Sequence, residues 1–202
     1  MFLLNYSTLI DPLLQDIRTY TAELLSTKPL QNVLDICCGT GDQVVHYAQK
    51  GLIATGIDHD LTMISQANKK RKYGLNDVDF YIARATRLPF DDGYFDSASI
   101  SLGLHEMKGA EQDKAVSEMK RTVKKGGTLI FIDFQVPFSM SPGALLIRTV
   151  EFLAGKDNYR CFSDYLFQGG LKTILHRNQL SPQKKAIVKF GLIEVIETDN
   201  PR

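Results

Sequence analysis

The chain has 202 residues, 44% of them hydrophobic and 23% charged, with a formal net charge of +1. Length and composition fit one soluble globular domain with a sizeable core. They exclude a nucleic-acid surface built on bulk positive charge, and no run approaches the ~18 apolar residues of a membrane span.

Met1–Phe2–Leu3–Leu4 is apolar but too short for a secretory leader, and no basic residue precedes it. The cysteines are Cys37, Cys38 and Cys161, with no Cys-x-x-Cys and no zinc spacing among them. The expectation is a cytoplasmic protein with reduced thiols and no metal site.

Residues 6–27 read as a helix, because Leu9, Leu13, Leu14, Ile17, Tyr20, Leu24 and Leu25 recur at three- and four-residue spacing. Pro12 sits in a first turn or marks a break, and Pro29 stops the segment. A strand over Val33–Cys37 runs into a glycine turn, followed by a helix over Asp42–Lys50 that Gly51 caps. Ala54–Asp58 is the second strand. Leu61–Tyr73 is a helix with Met63, Ile64 and Ala67 inward and Gly74 as its stop. Its basic end, Lys69–Lys70–Arg71–Lys72, reads as a solvated terminus favoured by the helix dipole.

Val78–Ile82 and Phe95–Ile100 are the third and fourth strands, the latter after the turn Asp91–Asp92–Gly93. A helix over Ala110–Val123 ends at Lys124–Lys125–Gly126–Gly127, and Thr128–Phe134 is a β-branched, apolar fifth strand. Nearly all-apolar strands alternating with helices predict a doubly wound α/β fold, a mostly parallel sheet covered by helices on both faces.

Beyond a loop at Pro137–Pro142, helices are expected over 143–154 and over 162–178, the second interrupted at Gly169–Gly170. The last segment has two readings. Gln183–Phe190 is a helix before a strand at Leu192–Thr198, or Ala186–Lys189 and Leu192–Glu197 form an antiparallel hairpin. The hairpin is preferred because it leaves no lone final strand.

The chemistry concentrates in Asp35–Ile36–Cys37–Cys38–Gly39–Thr40–Gly41–Asp42. A glycine-rich turn between strand and helix lets a ligand approach backbone N–H groups. The pattern lacks the third glycine of a dinucleotide fingerprint and the Gly-Lys-Ser/Thr of a P-loop. Asp35 and Asp42 would disfavour a pyrophosphate and suit a cation carrying an ammonium and a sulfonium. Asp58, ending the second strand, is placed to accept ribose hydroxyl protons, at the strand ends where open α/β sheets bind ligands. Each residue also has a plain structural reading. The glycines make a tight turn, Asp35 caps a backbone N–H, and Asp58 is the N-cap of the next helix.

Val33–Asp42 resembles the first motif of class I S-adenosylmethionine-dependent methyltransferases, most closely their ubiquinone/menaquinone biosynthesis C-methyltransferase branch. Gly56–Ile57–Asp58–His59–Asp60–Leu61–Thr62–Met63 is similar to the second motif of that branch. Ala85–Asp96 is similar to its adenine-side loop and fourth strand, and Ser101–His105 and Val123–Leu129 complete the series.

The resemblance spans residues 33–136. It implies a Rossmann-like seven-stranded methyltransferase fold, with residues 1–202 one domain, 1–30 an N-terminal helical segment and 137–180 a substrate-side helical insertion. It implies that Asp35, Cys37, Gly39, Thr40 and Gly41 line the methionine end of S-adenosylmethionine and that Asp58 holds the ribose. His59 and Met63 would lie near the adenosine, Arg84 and Ala85 beside the adenine, and Ser101 near the methyl group. The family often has an acid at the place of Arg84, which has donors only.

Ser101–Leu102–Gly103–Leu104–His105–Glu106 follows the fourth strand, where the methyl group would point. His105 is a candidate to take or orient a proton near neutral pH, or a surface or capping histidine. The quinone branch more often has an arginine at that place. Phe138, Met140, Phe152, Tyr159, Phe162, Tyr165 and Phe167 either flank a flat, hydrophobic acceptor or are core. Tyr159 and Arg160 are candidate acceptor contacts, and Tyr6 belongs to a lid helix or a simple helix start.

The expected activity is in-line methyl transfer to a small aromatic or hydrophobic acceptor, with His105 and Tyr159 as catalytic candidates. Methylation of a ubiquinone/menaquinone precursor and a non-catalytic S-adenosylmethionine-binding role are the alternatives. An NAD-dependent oxidoreductase is disfavoured by the missing glycine. The expected partner is a small molecule, with no nucleic acid and no integral membrane segment; a homodimer stays open.

Overall fold

In a computed structural model the described residues are 13–26, 31–71 and 78–202. The predicted starts at Tyr6 and Pro12 and the stops at Pro29 and Gly74 lie outside them.

Helix α1 (Gln15–Leu25) buries Ile17, Ala22 and Leu25. There follow β1 (Asn32–Ile36), α2 (Asp42–Gln49), β2 (Ile53–Asp58), α3 (Leu61–Arg71), β3 (Val78–Ile82) and β4 (Phe95–Ser101). A single 3-10 turn at Leu104–Glu106 leads into α4 (Gly109–Thr122) and β5 (Val123–Phe134). Helices α5 (Pro142–Ala154), α6 (Lys156–Gln168) and α7 (Gly170–Arg177) precede β6 (Pro182–Val188) and β7 (Ile193–Asp199).

The seven strands form one sheet in the order β3-β2-β1-β4-β5-β7-β6. The first five are parallel, and β7 runs antiparallel between β5 and β6. Consecutive residues point to opposite faces of a strand. Val33–Ile36 in β1, Ser97–Ile100 in β4 and Leu129–Phe134 in β5 are buried without interruption, so both faces of the sheet centre are covered. Strand order reverses at β1, with β2 on one side and β4 on the other. The crevice beyond the carboxyl ends of these strands is the usual ligand site of such sheets.

Four local expectations change. The fifth strand begins at Val123, which pairs with Phe95 before Lys124–Gly127 bulges out and Thr128 pairs with Ser97. That bulge is held from the far end of the chain: Gly126 N donates to Asn200 O at 2.9 Å, and Asn200 N donates to Gly127 O at 2.8 Å. Helix α6 begins at Lys156, earlier than predicted, because only Gly155 separates it from α5. The C-terminal segment is the antiparallel hairpin, longer than expected, with Lys185 of β6 paired to the buried Glu194 of β7 at 2.6 Å. The basic end of α3 is not simply solvated, since Lys70 pairs with Asp42 at 2.9 Å and Arg71 with Asp79 at 3.1 Å.

The aromatic residues of the helical segment divide. Phe162 and Tyr165 are core, and the Tyr165 hydroxyl donates to Phe134 O at 2.9 Å. Phe138 and Tyr159 pack against the core from its margin, whereas Met140, Phe152 and Phe167 are exposed. Among the described residues no helix is long and apolar enough to cross a membrane, and no cluster of ligating side chains could hold a metal ion.

Candidate functional site

The glycine turn is fixed from beneath. Tyr47 of α2 donates to Ser99 Oγ at 2.8 Å, and Ser99 donates to Asp35 Oδ1 at 2.6 Å. All three side chains are buried, and burial pushes the Asp35 carboxyl up to about 7 against the opposing Ser99 hydrogen bond. Asp42, at the start of α2, is an anchor: Arg18 of α1 reaches it at 2.6 Å and Lys70 of α3 at 2.9 Å. Burial works against its charge, but Lys70 and Arg18 together outweigh that and hold it below the usual carboxylate range. Lys70 also donates to Thr40 Oγ1 at 3.1 Å. Asp35, Thr40, Gly41 and Asp42 therefore build the turn and are not on the wall of the crevice. Gly41 has φ +76°, and a Cβ there would fall 2.6 Å from the Phe80 ring. Only glycine fits both the conformation and the space.

On the crevice side, Cys37 takes φ +60° and lies against Gly103, where a Cβ would come within 2.9 Å of the cysteine side chain. The β1 and β4 ends thus close together into the floor of one cavity.

Asp58 ends β2 with both carboxylate oxygens engaged: Oδ2 accepts from Gly39 N at 2.9 Å and Oδ1 from Asp60 N at 2.9 Å. Each oxygen keeps a lone pair for a further donor. Asp58 is not the N-cap of α3. That position belongs to Asp60, whose Oδ1 accepts from Thr62 N at 2.6 Å.

The cavity has a volume of about 520 Å³, within the ordinary range for a small-molecule site. Cys37 and Gly39 line it from the turn, with Asp58, His59, Asp60 and Met63 from the end of β2 and the start of α3. Arg84 and Ala85, the residues expected beside the adenine, line the cavity together with Ala83 and Thr86. Ser101, Leu102, Gly103, Glu106 and Met107 come from the end of β4, Glu111 from α4 and Asn158 from α6. Glu106, Met107, Glu111 and Asn158 were not among the sequence-derived candidates. The signal for Glu106 was its place beside His105 at a strand end.

The two catalytic candidates stand elsewhere. Tyr159 packs edge-on against Phe152 at 5.6 Å and is not on the cavity wall. His105 is buried behind the wall, its Nδ1 at 2.7 Å from Asp133 Oδ1 and its Nε2 at 3.7 Å from Glu151 Oε1. Burial opposes its charge, but Asp133, Glu151 and Glu106 outweigh that and raise its pKa to about 10. An imidazolium has two donors and no lone pair to receive a proton. The geometry makes His105 an ionic link between β5 and α5.

Residues 33–127 match the family model described as "Methyltransferase domain". Over 120 residues the chain is 37% identical to a demethylmenaquinone methyltransferase of Renibacterium salmoninarum, covering 59% of this chain and 48% of that protein. The chain thus spans about half the length of the curated relatives it matches. Among solved structures, a Pyrococcus horikoshii protein superposes with TM-score 0.70 at 18% identity, over 92% of this chain and 89% of that one. An Aquifex aeolicus SAM-dependent methyltransferase gives TM-score 0.66 at 18% identity, over 90% and 88% of the two chains. Residues 33–127 are thus similar to methyltransferase domains, and the fold around them is that of the solved structures it superposes on.

Proposed function

We propose that the cavity binds S-adenosylmethionine and that the protein transfers its methyl group to a small aromatic or hydrophobic acceptor of the quinone-precursor type. The observation that carries the cofactor reading is Asp58. Its carboxylate is locked by two backbone donors at the mouth of β2 and keeps acceptor capacity facing the cavity. Among the described residues the wall carries Asp58, Asp60, Glu106 and Glu111 against the guanidinium of Arg84. That balance suits a cationic ligand better than a pyrophosphate. Asp42, already neutralised by Arg18 and Lys70, does not contribute to it.

When bound, the cofactor supplies an electrophilic sulfonium methyl. Asp58 would hold the ribose hydroxyls, and Gly39 and Cys37 would admit the methionine end. His59 and Met63 would flank the adenosine. Backbone groups around Arg84 and Ala85 would meet the adenine edge, because the Arg84 side chain has no acceptor. Ser101, Leu102 and Gly103 close the floor, where the methyl group and acceptor would meet.

The acceptor class rests on the apolar lining by Leu102 and Met107 and on the relative named demethylmenaquinone methyltransferase. The three free cysteines and the near-neutral charge support a cytoplasmic setting and a small-molecule partner rather than nucleic acid.

Isothermal titration tests the cofactor reading. Wild type is expected to bind S-adenosylmethionine, and Asp58→Ala to bind it about 100-fold more weakly while still melting cooperatively, the loss of charge-assisted hydrogen bonds. Equal binding by the two proteins would overturn it.

A further inference from the structure

With His105 held charged behind the wall, the acceptor end of the cavity needs another group to receive a proton. The geometry points to Glu106 as that proton acceptor, for a hydroxyl on an aromatic methyl acceptor. The inference rests on the methyltransferase reading above.

Glu106 closes the short 3-10 turn after β4, and its side chain opens on the cavity beside Gly103 and Met107. Among the described residues no hydrogen bond or ion pair ties its carboxylate down. The other wall acids are committed. Asp58 accepts from Gly39 and Asp60, Asp60 caps α3, and Glu111 accepts from Lys108 N at the start of α4. Glu106 is exposed on the cavity side of the turn. The groups facing it are His105 on its own turn, Glu151 from α5, Asp133 from β5 and Asp58 from β2. Burial raises its pKa, His105 pulls it down, and the three acids push it further up. A carboxylate whose pKa is raised is a better proton acceptor than an ordinary one.

The step balances without another reactant. The acceptor hydroxyl gives its proton to the Glu106 carboxylate, and the oxygen's electron pair feeds the neighbouring ring carbon. That carbon bonds the methyl group as the sulfonium C–S bond breaks, its electron pair staying on sulfur. The ring carbon then loses its proton to water, and Glu106 returns its proton to the oxygen. One proton is released per methyl transferred, and aromaticity is restored.

Two measurements test the assignment. The first needs no turnover: binding of 1-naphthol to protein saturated with S-adenosylhomocysteine, followed against pH by fluorescence. In wild type the affinity should rise at least fivefold as Glu106 ionises, and in Glu106→Gln it should be flat with pH. Absence of binding, or the same pH profile in both proteins, overturns the assignment. The second is methylation of a short-chain demethylmenaquinol. At saturating S-adenosylmethionine, Glu106→Gln should lose 10²–10⁴-fold in kcat, with an unchanged melting temperature. Glu106→Asp should recover part of the rate. Turnover by Glu106→Gln within threefold of wild type overturns the assignment. A wild type that binds S-adenosylmethionine but methylates no hydroxyaromatic overturns it while sparing the cofactor site. A wild type that does not bind S-adenosylmethionine refutes the cofactor reading itself.

Discussion

The two walls of the crevice are built by different means. On the β1–β2 side, position is set by backbone: Asp58 accepts two main-chain N–H groups, and Gly41 makes a turn that no larger residue could fit. On the β4–β5 side, position is set by buried charge: His105 lies between Asp133 and Glu151, which reach it from elements 28 and 46 residues away in sequence (133 − 105 and 151 − 105). Backbone-held sites tolerate changes in the surrounding side chains. Sites held by buried ions fail when one partner is removed, because the other is left charged and unsolvated.

The sharpest test of that difference is His105→Ala. Asp133 is fully buried and would lose its partner, so stability should fall by about 3–5 kcal/mol in urea unfolding. Affinity for S-adenosylmethionine should stay within threefold, because His105 is not on the cavity wall. The pH dependence has a definite sign. The His105 pKa is raised in the folded protein to about 10, so its contribution is complete below the unfolded value near 6.5 and is lost as pH rises through about 10. A variant that kept full stability but lost turnover would move His105 from the scaffold to the reacting groups.

These walls also differ in how far they could be read from sequence. The turn, Asp58 and the loop at residues 83–86 are local patterns, in which a few adjacent residues set the course of the chain. The strands at Val78–Ile82 and Phe95–Ser101 were legible for the same reason, through apolar runs bounded by turns. What was not legible depends on distant partners. The bulge at Lys124–Gly127 is fixed by Asn200, and the charge of Asp42 is cancelled by Arg18 and Lys70. His105 stood at the expected strand end, but its side chain direction depended on Asp133 and Glu151. Sequence spacing at a strand end locates a residue within a few ångströms and leaves open which side of the wall it faces.

A smaller effect is expected at Asp35, which lies beneath the glycine turn on the β1–β2 side but is held by side chains. Its folded pKa is raised to about 7, so the folded protein retains a proton that the unfolded chain has released above about pH 4. Stability contributed by this group is therefore complete below that value and falls as pH rises through about 7. Asp35→Asn removes the titration while keeping an acceptor for the Ser99 hydroxyl. Relative to wild type it should gain roughly 2–3 kcal/mol between pH 5 and pH 8, about 5–10 °C in melting temperature. A difference that did not change with pH would show that Asp35 is ionised normally in the folded state and that the base of the turn is solvated.

The smallest effect should come from α5. This helix inverts the usual pattern: it buries Glu151 and exposes Leu145, Leu146, Phe152 and Leu153. A helix normally buries its apolar stripe against the core. Here the inward face is used for Glu151 and its link to His105, so the leucines contribute little to folding. Leu145→Lys and Leu153→Glu should each change stability by less than about 0.5 kcal/mol, whereas Glu151→Ala should cost several times more. Urea unfolding at two protein concentrations separates the outcomes. A loss above about 1 kcal/mol in either surface variant would mean that this face is covered in solution, and the contrast between the walls would then include an apolar contact beside the charged one.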